Sequence, residues 1–417
     1  MMTTLFEKAL AINTPWFITN INFDENLRKL DIYIDFRKGS TFSYQDPDDE
    51  NNSGTYKAYD SNTKTWRHLN FFQHECYLHC RTPRVKVKSG KVKLISPPWA
   101  GLNTGFTLLF EALVLQLASH MPISAVAKVI SETDQKIWRL LDEYINKARE
   151  FEDYSLTSAI GMDETSKKKN HDYVTLFVDL NKKKVAFVAE GKSNQTVKEF
   201  KEDLEVHQGK AENIKDVSCD MSPAFIKGVK ENLPAAEITF DKFHILKILN
   251  KAVDEVRKGE VSEQDLLMGA KYLFLQNRDN MSVKNRKRLK DIEDIKALNI
   301  RTIRALHIRE NFQEIYKVKT RETFILMLKK WYFWATHSQL EPIKKAAGTI
   351  KKHWAGVLRW RDSLINNGIL EGLNSVVQAA KKKARGFRTF KYFRILIYLT
   401  VGGLDFSRIN PCVKSSQ

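Results

Sequence analysis

Three acidic residues, Asp163, Asp220 and Glu371, stand where metal-dependent phosphoryl transfer would need them. That chemistry requires carboxylates from separate elements converging on one point, because two cations about 3.5–4 Å apart are held by shared oxygens. Asp163 closes the strand-like stretch LTSAIGMDE, and Asp220 closes a second one, KDVSCD. Ser222 and Pro223 then open a helix, so Asp220 falls at a strand-to-helix switch, the place where ligands bind in open α/β sheets. The plain alternative for Asp220 is a helix N-cap. Glu371 opens a helix on which Glu371, Ser375, Gln378, Lys382 and Arg385 share one face, with Leu373, Val376, Val377, Ala380 and Ala384 opposite. From Gly372 to Leu404 there is no acid, whereas Lys381, Lys382, Lys383, Arg385, Arg388, Lys391 and Arg394 are interleaved with Phe387, Phe390, Tyr392 and Phe393. A solvated basic face is the bland account of that run; a metal site beside a phosphate track explains the lone acid better.

The elements that must carry these residues follow from periodicity. LTSAIGMDE, YVTLFVDL and KKVAFVAEG are short strands, with turns at Lys167–His171 and Asn181–Lys183, close enough to form a meander. Helix SNQTVKEFKEDLEVH, strand KDVSCD, helix SPAFIKGVKENL, strand AEITFD and helix KFHILKILNKAVDEVRK come next. Three antiparallel strands followed by two αβ steps is the element order of an RNase H-like domain with a mixed five-stranded sheet. Upstream, LRKLDIYIDFRKGS alternates with period two, so the first hundred residues are expected to be β-rich, with QDPDDENNSG as a polar loop. Between them, PISAVAKVIS and DQKIWRLLDEYINKARE form a helix-turn-helix candidate. In it Ile123, Val126, Ala127 and Ile130 pack on Ile137, Leu140 and Leu141, leaving Lys128, Gln135, Lys136 and Arg139 outward for DNA. Residues 259–362 are helical, basic and rich in Trp; Trp331, Trp334, Trp354 and Trp360 are expected as core anchors rather than base-stacking platforms.

Composition narrows the partner. A chain of 417 residues, 42% hydrophobic and 28% charged, is globular and multidomain, and its net charge of +18 attracts a polyanion. No apolar run reaches the ~20 residues of a spanning helix, so no membrane partner is expected. The opening MMTTLFEKALAINTPWF lacks a secretory pattern, and four scattered cysteines make no disulfide framework. A cytoplasmic, nucleoid-associated location is the expectation.

GMDETSKKK, VSCDMSPAFIKGV, ITFDKFHILK and GILEGLNSVVQAAKKKARGFRTFKYFRILIYL closely resemble the matching blocks of the ISL3 insertion-sequence transposases, a DDE group with an RNase H-like catalytic domain. WRHLNFFQHECYLHCRTPRV and FTLLFEALVLQLASHMPISAVAKVI resemble that family's amino-terminal blocks. Position by position, the resemblance puts the catalytic and metal-holding acids on Asp163, Asp220 and Glu371, and an Asp-x-x-His motif on Asp241 and His244 as near-site support. It implies Mg2+, with Mn2+ as an alternative; double-stranded DNA as partner, both terminal inverted repeats and target; and a homodimer in the DNA complex. Lys381, Lys382, Arg385 and Arg388 join the helix-turn-helix residues as expected DNA contacts. The implied domains are a β-rich domain (1–100, a degenerate zinc-ribbon-like module), a helix-turn-helix region (101–153), the RNase H-like domain (154–258), a helical insertion (259–362) and final helices with Glu371 (363–417).

The chain departs from the family at its zinc ribbon. YQDPDDE (44–50) and RVKVKSGKV (84–92) stand where the Cys-x-x-Cys pairs belong. His74, Cys76, His79 and Cys80 are the remaining donors, and alternate strand residues ~6.6 Å apart suit a tetrahedral site poorly, so zinc is not expected. Among other acids, Glu164 should point away from Asp163 by strand alternation, and Asp179 reaches the site only under an altered pairing. His244 is as much a structural histidine as a catalytic one. Two rival functions remain: an RNase H-like nuclease or junction resolvase, and a domesticated DNA-binding protein without catalysis.

Overall fold

The computed structural model describes the chain except residues 1, 103, 167–172, 295–299, 364–367 and 414–417, and except the side chains at 2 and 266. The turn expected at Lys167–His171, with Asp172, lies outside the described residues. Residue contacts divide the chain into two units, one of 1–152 with 380–417 and one of 153–379.

In the first unit a short helix, α1 (Met2–Ala9), precedes strands β1 (Trp16–Asp24), β2 (Lys29–Phe36), β3 (Thr41–Tyr44), β4 (Gly54–Phe71), β5 (His74–Lys86) and β6 (Val92–Leu94). They form one sheet in the order β1-β2-β5-β4-β3, with β6 also on β5. Alternation sends Leu30, Ile32 and Ile34 of β2 and Cys76, Leu78 and Cys80 of β5 into a core with Trp16, Phe42 and Trp66. Burial pushes both thiols up to about 12, away from the thiolate a metal would need. His79 turns to the other face, stacked on Tyr33 with Nε2 2.6 Å from Asp31 Oδ1, so this donor set does not fit a zinc ion.

Helices α2 (Leu108–His120), α3 (Ile123–Ile130) and α4 (Asp134–Glu150) follow. Their apolar stripes are buried as the spacing requires, from Ile123, Val126, Ala127 and Ile130 to Ile137, Leu140 and Leu141. Ser131, at φ 57°, makes the left-handed turn between α3 and α4.

The second unit is built on β7 (Ala159–Ser166), β8 (Tyr173–Asp179) and β9 (Lys184–Glu190), an antiparallel meander, then α5 (Gln195–Val206), β10 (Asp216–Cys219), α6 (Pro223–Asn232), β11 (Glu237–Phe240) and α7 (Lys242–Glu260). Strand order is β11-β10-β7-β8-β9, and β10 runs parallel to both β7 and β11. The expected mixed five-stranded sheet is therefore present. Phe200 of α5 stacks on Phe177 of β8 with ring centroids 4.6 Å apart, fixing that helix on the sheet.

Helices α8 (Lys271–Leu275), α9 (Val283–Glu293), α10 (Arg301–Ile315), α11 (Arg321–Thr336), α12 (Glu341–Lys352) and α13 (Trp354–Ser363) share one continuous apolar core with the sheet. Trp331 anchors them: it is buried, and its Nε1 donates to the Ile308 carbonyl at 2.8 Å. Trp360 packs on Tyr316 and Phe324, and Trp354 on Tyr332, while Trp334 is exposed.

Helix α14 (Gly368–Lys383) buries Leu370 and Val377, but Val376, expected on the inward apolar face, is 47% exposed. The helix instead lays part of its polar face on β7, as the hydrogen bonds below show. By its contacts helix α15 (Phe390–Val401) falls in the first unit, while the sequence order grouped it with Glu371. Lys391 meets Asp142 of α4 at 2.6 Å, and farther on Asn410 donates to the Leu108 carbonyl and the Tyr144 hydroxyl. Those contacts join residues distant in sequence, which periodicity does not report. No helix among the described residues is long and apolar enough to cross a membrane.

Candidate active site

Register in the second sheet sets the site. Ser218 of β10 pairs with Gly161 of β7, and Cys219 pairs with Phe240 of β11. Two residues past the first pair lie Asp163 and Asp220; one past the second lie Asp220 and Asp241. Three aspartates thus stand level at the carboxyl ends of three neighbouring parallel segments, where open α/β sheets bind ligands. Asp163 is not at a strand terminus, since β7 continues to Ser166 on the β8 side; only its parallel pairing stops short of Asp163.

A cavity of about 450 Å³ opens over these ends, lined by Asp163, Glu164, Asp220, Asp241, His244 and, from α14, Glu371, Asn374 and Gln378. All three sequence-predicted acids therefore face one space, with the Asp-x-x-His pair beside them. No Lys or Arg among the described residues lines it. A larger cavity of about 560 Å³ lies by β11 and α13, but its arginines are already paired, Arg359 with Asp216 and Glu237, and Arg321 with Asp362.

Each acid is held differently. Asp163 accepts the Glu164 backbone N–H on Oδ1 at 2.8 Å and Asn374 Nδ2 on Oδ2 at 2.7 Å. Burial raises its carboxyl above the usual range, and these hydrogen bonds oppose that shift. Asp220 Oδ1 accepts from the Ser222 backbone at 2.9 Å, a local turn ahead of Pro223; the cap residue of α6 is Ser222, so Asp220 is not the N-cap. Asp241 does cap its helix, accepting from Phe243 N at 2.8 Å, while its other oxygen lies 3.1 Å from His244 Nδ1. That bond raises the His244 pKa; burial opposes it, and the charges of Asp241, Asp220 and Asp163 add to it. Glu371 is exposed, with no side-chain hydrogen bond or ion pair among the described residues.

Glu164 departs from expectation, because it lines the cavity with Asp163 instead of facing away. Past Gly161, β7 has lost its β10 neighbour, so both side-chain directions border the opening. Burial, and then the charge of Asp220, raise the Glu164 carboxyl, with Lys192 3.9 Å away lowering it. Asp179 stays out of the cavity: it is buried at the β8–β9 hairpin, bonded to Thr157 and to the Asn181 and Lys182 backbones. Asn374 was missed by the sequence reading, though its place one turn after Glu371 is a signal for it.

A family model for a transposase matches residues 160–397, more than half of the chain and all of this sheet but its first residue. The chain belongs to the ISL3 family of transposases. A second model, for the helix-turn-helix domain of the same family, matches residues 95–145. The transposase for insertion sequence element IS1001 of Bordetella parapertussis is 25% identical over 351 residues, which cover 82% of this chain and 85% of that protein. The transposase for insertion sequence element IS1557 of Mycobacterium tuberculosis is 23% identical over 373 residues, covering 82% of each chain.

The transposase thus pairs a helix-turn-helix DNA-binding domain with a DDE-type catalytic domain. Lys128, Gln135, Lys136 and Arg139 are all exposed, and Lys136 pairs with Glu132 at 2.8 Å. Lys381 and Lys382 occupy the last turn of α14. Arg385, at φ 58°, and Gly386, at φ 96°, end that helix, so Arg385 and Arg388 do not continue the helical face as the spacing suggested.

Proposed function

We propose that this transposase binds the terminal inverted repeats of its insertion sequence and cuts and joins DNA by two-metal phosphoryl transfer at Asp163, Asp220 and Glu371, in an RNase H-like domain. One observation carries the proposal: acids from two adjacent parallel strands and from a distant helix line one cavity that has no Lys or Arg among the described residues. The strand order, antiparallel for β7–β8–β9 and parallel for β7–β10–β11, supports the RNase H-like assignment. The lining carboxylates are the oxygen donors a hard divalent cation takes, and among the described residues no three of them stand close enough together to hold one ion without the side chains moving.

Asp163, Asp220 and Glu371 would hold Mg2+, or Mn2+ in its stead. When bound, such ions activate the attacking oxygen and stabilise the leaving one. The chain's own part is to orient the carboxylates, Asp163 through Asn374 and Asp220 through its Ser222 turn. Asp241 favours the protonated form of His244 at the cavity wall, a charge suited to a DNA phosphate. Lys128, Gln135, Lys136 and Arg139 contact the repeat, and Lys381, Lys382, Arg385 and Arg388 contact the backbone. Two ends processed together call for a homodimer in the DNA complex.

The test uses the full chain with DNA carrying the inverted repeats that flank its gene. Glu371→Gln should abolish both cleavage and joining yet leave the gel shift intact. Cleavage at the parental rate would remove Glu371 from the chemistry, and cutting without joining by the parental chain would favour a nuclease.

A further inference from the structure

Three side chains of α14, each one turn beyond the last, meet three alternate residues of β7. Leu370 covers Gly161, where an added Cβ would lie 2.7 Å from Leu370 Cδ2. Asn374 Nδ2 donates to Asp163 Oδ2 at 2.7 Å, and Gln378 Nε2 donates to Thr165 Oγ1. The repeats are commensurate: two strand residues advance ~6.6 Å and four helical residues ~6.0 Å, so helix and strand stay in step over all three contacts. A slip of one turn would set Leu370 against Asp163, or bring Asn374 to Gly161, which has no side chain to accept its N–H. Register is therefore specified three times over.

The middle contact is the one at the cavity. Asn374 lines it, and its Oδ1 is buried without a hydrogen-bond partner among the described residues. A buried amide oxygen left unpaired costs stability, so an Asn here is not explained by stability alone. Glu371, by contrast, makes no side-chain hydrogen bond or ion pair among the described residues, and its position is set by the seating of its helix.

We propose that Asn374 is a positioning residue: by donating to Asp163 it locks α14 in register on β7 and so holds Glu371 at the cavity of Asp163 and Asp220. This rests on the assignment of those three acids as metal-holding groups. Asn374 acts through Asp163 and the helix, and Gly161 is required as glycine so that Leu370 can close the first contact.

The experiment places Fe2+ in the full-length transposase with ascorbate and peroxide and maps backbone cuts, which fall beside the bound ion. The parental chain should be cut near Asp163, Asp220 and Glu371. Asn374→Ala should keep the first two cuts and lose the third, and its Mn2+ requirement for DNA cleavage should rise about 10- to 100-fold, the usual effect of removing a partner behind a metal ligand. Repeat binding in a gel shift should not change. Parental cuts absent near Glu371 would sink the assignment of the acids; a third cut and Mn2+ requirement unchanged in Asn374→Ala would sink the role of Asn374 alone. Should Asn374→Ala fail to fold, Gly161→Ala decides. It should lose the third cut, and Gly161→Ala with Leu370→Ala should restore it. A double variant no better than Gly161→Ala would overturn the register argument.

Discussion

Trp138 of α4 and Tyr392 of α15 stack with their ring centroids 4.4 Å apart and their planes 17° from parallel. The helix-turn-helix bundle is thus closed by a helix from far along the chain. Trp138→Ala should destabilise the first unit by about 2 kcal/mol, from lost burial and lost stacking together. Urea unfolding followed by a probe in that unit checks this; a midpoint shift within error would mean the stack contributes only shape.

Exposed Arg139 should weigh more than Lys136 in DNA affinity. Lys136 must first leave Glu132, although an exposed pair of that kind is worth only ~0–1 kcal/mol. Arg139→Gln should weaken binding to the repeat and flatten the salt dependence by about 0.9 in log–log slope if it meets one phosphate. Filter binding across a salt series is the measurement, and an unchanged slope would remove Arg139 from the interface.

His68 gives the first unit an acid limit. Its Nδ1 lies 2.9 Å from the Thr107 hydroxyl, whose oxygen also accepts from Phe110 N at the start of α2. Burial, with the charge of Arg67 adding to it, lowers the His68 pKa to about 4, below the unfolded value of 6.5. Between those values the unfolded chain binds more protons, so stability rises with pH through the window and falls on acidification from 6.5 toward 4, by about 2.6 kcal/mol. His68→Gln should remove that part of the slope. An identical pH profile in the variant would assign the slope to other groups.

Divalent ions should stabilise the second unit in the absence of DNA. Five carboxylates line a cavity with no Lys or Arg among the described residues, so a bound ion relieves repulsion that is otherwise present in the fold. Mn2+ at 100 times its Kd would add ~2.7 kcal/mol, visible as a higher Tm, whereas Na+ at equal ionic strength would not. Asp220→Asn should erase the Mn2+ effect and, without metal, melt no lower than the parent. A Tm rise retained in Asp220→Asn would locate the ion elsewhere.

Much of this architecture could be read in advance because burial has a period. Ile123, Val126, Leu140 and Leu141 announce the helix-turn-helix, and the meander with its two αβ steps announces which strands bring Asp163 and Asp220 together. What periodicity hides is a polar contact face. By spacing, α14 should turn Val376 inward, yet Asn374 and Gln378 lie on β7 because their partners there are polar as well. Glu164 was misjudged for a related reason: alternation assigns faces only while a strand has neighbours on both sides. The lodging of α15 against α4 was illegible, since nothing in local sequence states which distant stripe will cover it.

That lodging carries a consequence for biosynthesis. Every residue of the second unit leaves the ribosome between α4 and α15, a delay on the order of ten seconds or more at ordinary elongation rates. Until then Trp138 lacks its stacking partner and Asp142 its lysine. A nascent chain halted after Ala379 would carry Asp163, Asp220 and Glu371 but no α15, so the bundle around α4 reaches its final packing only after the whole second unit has been made.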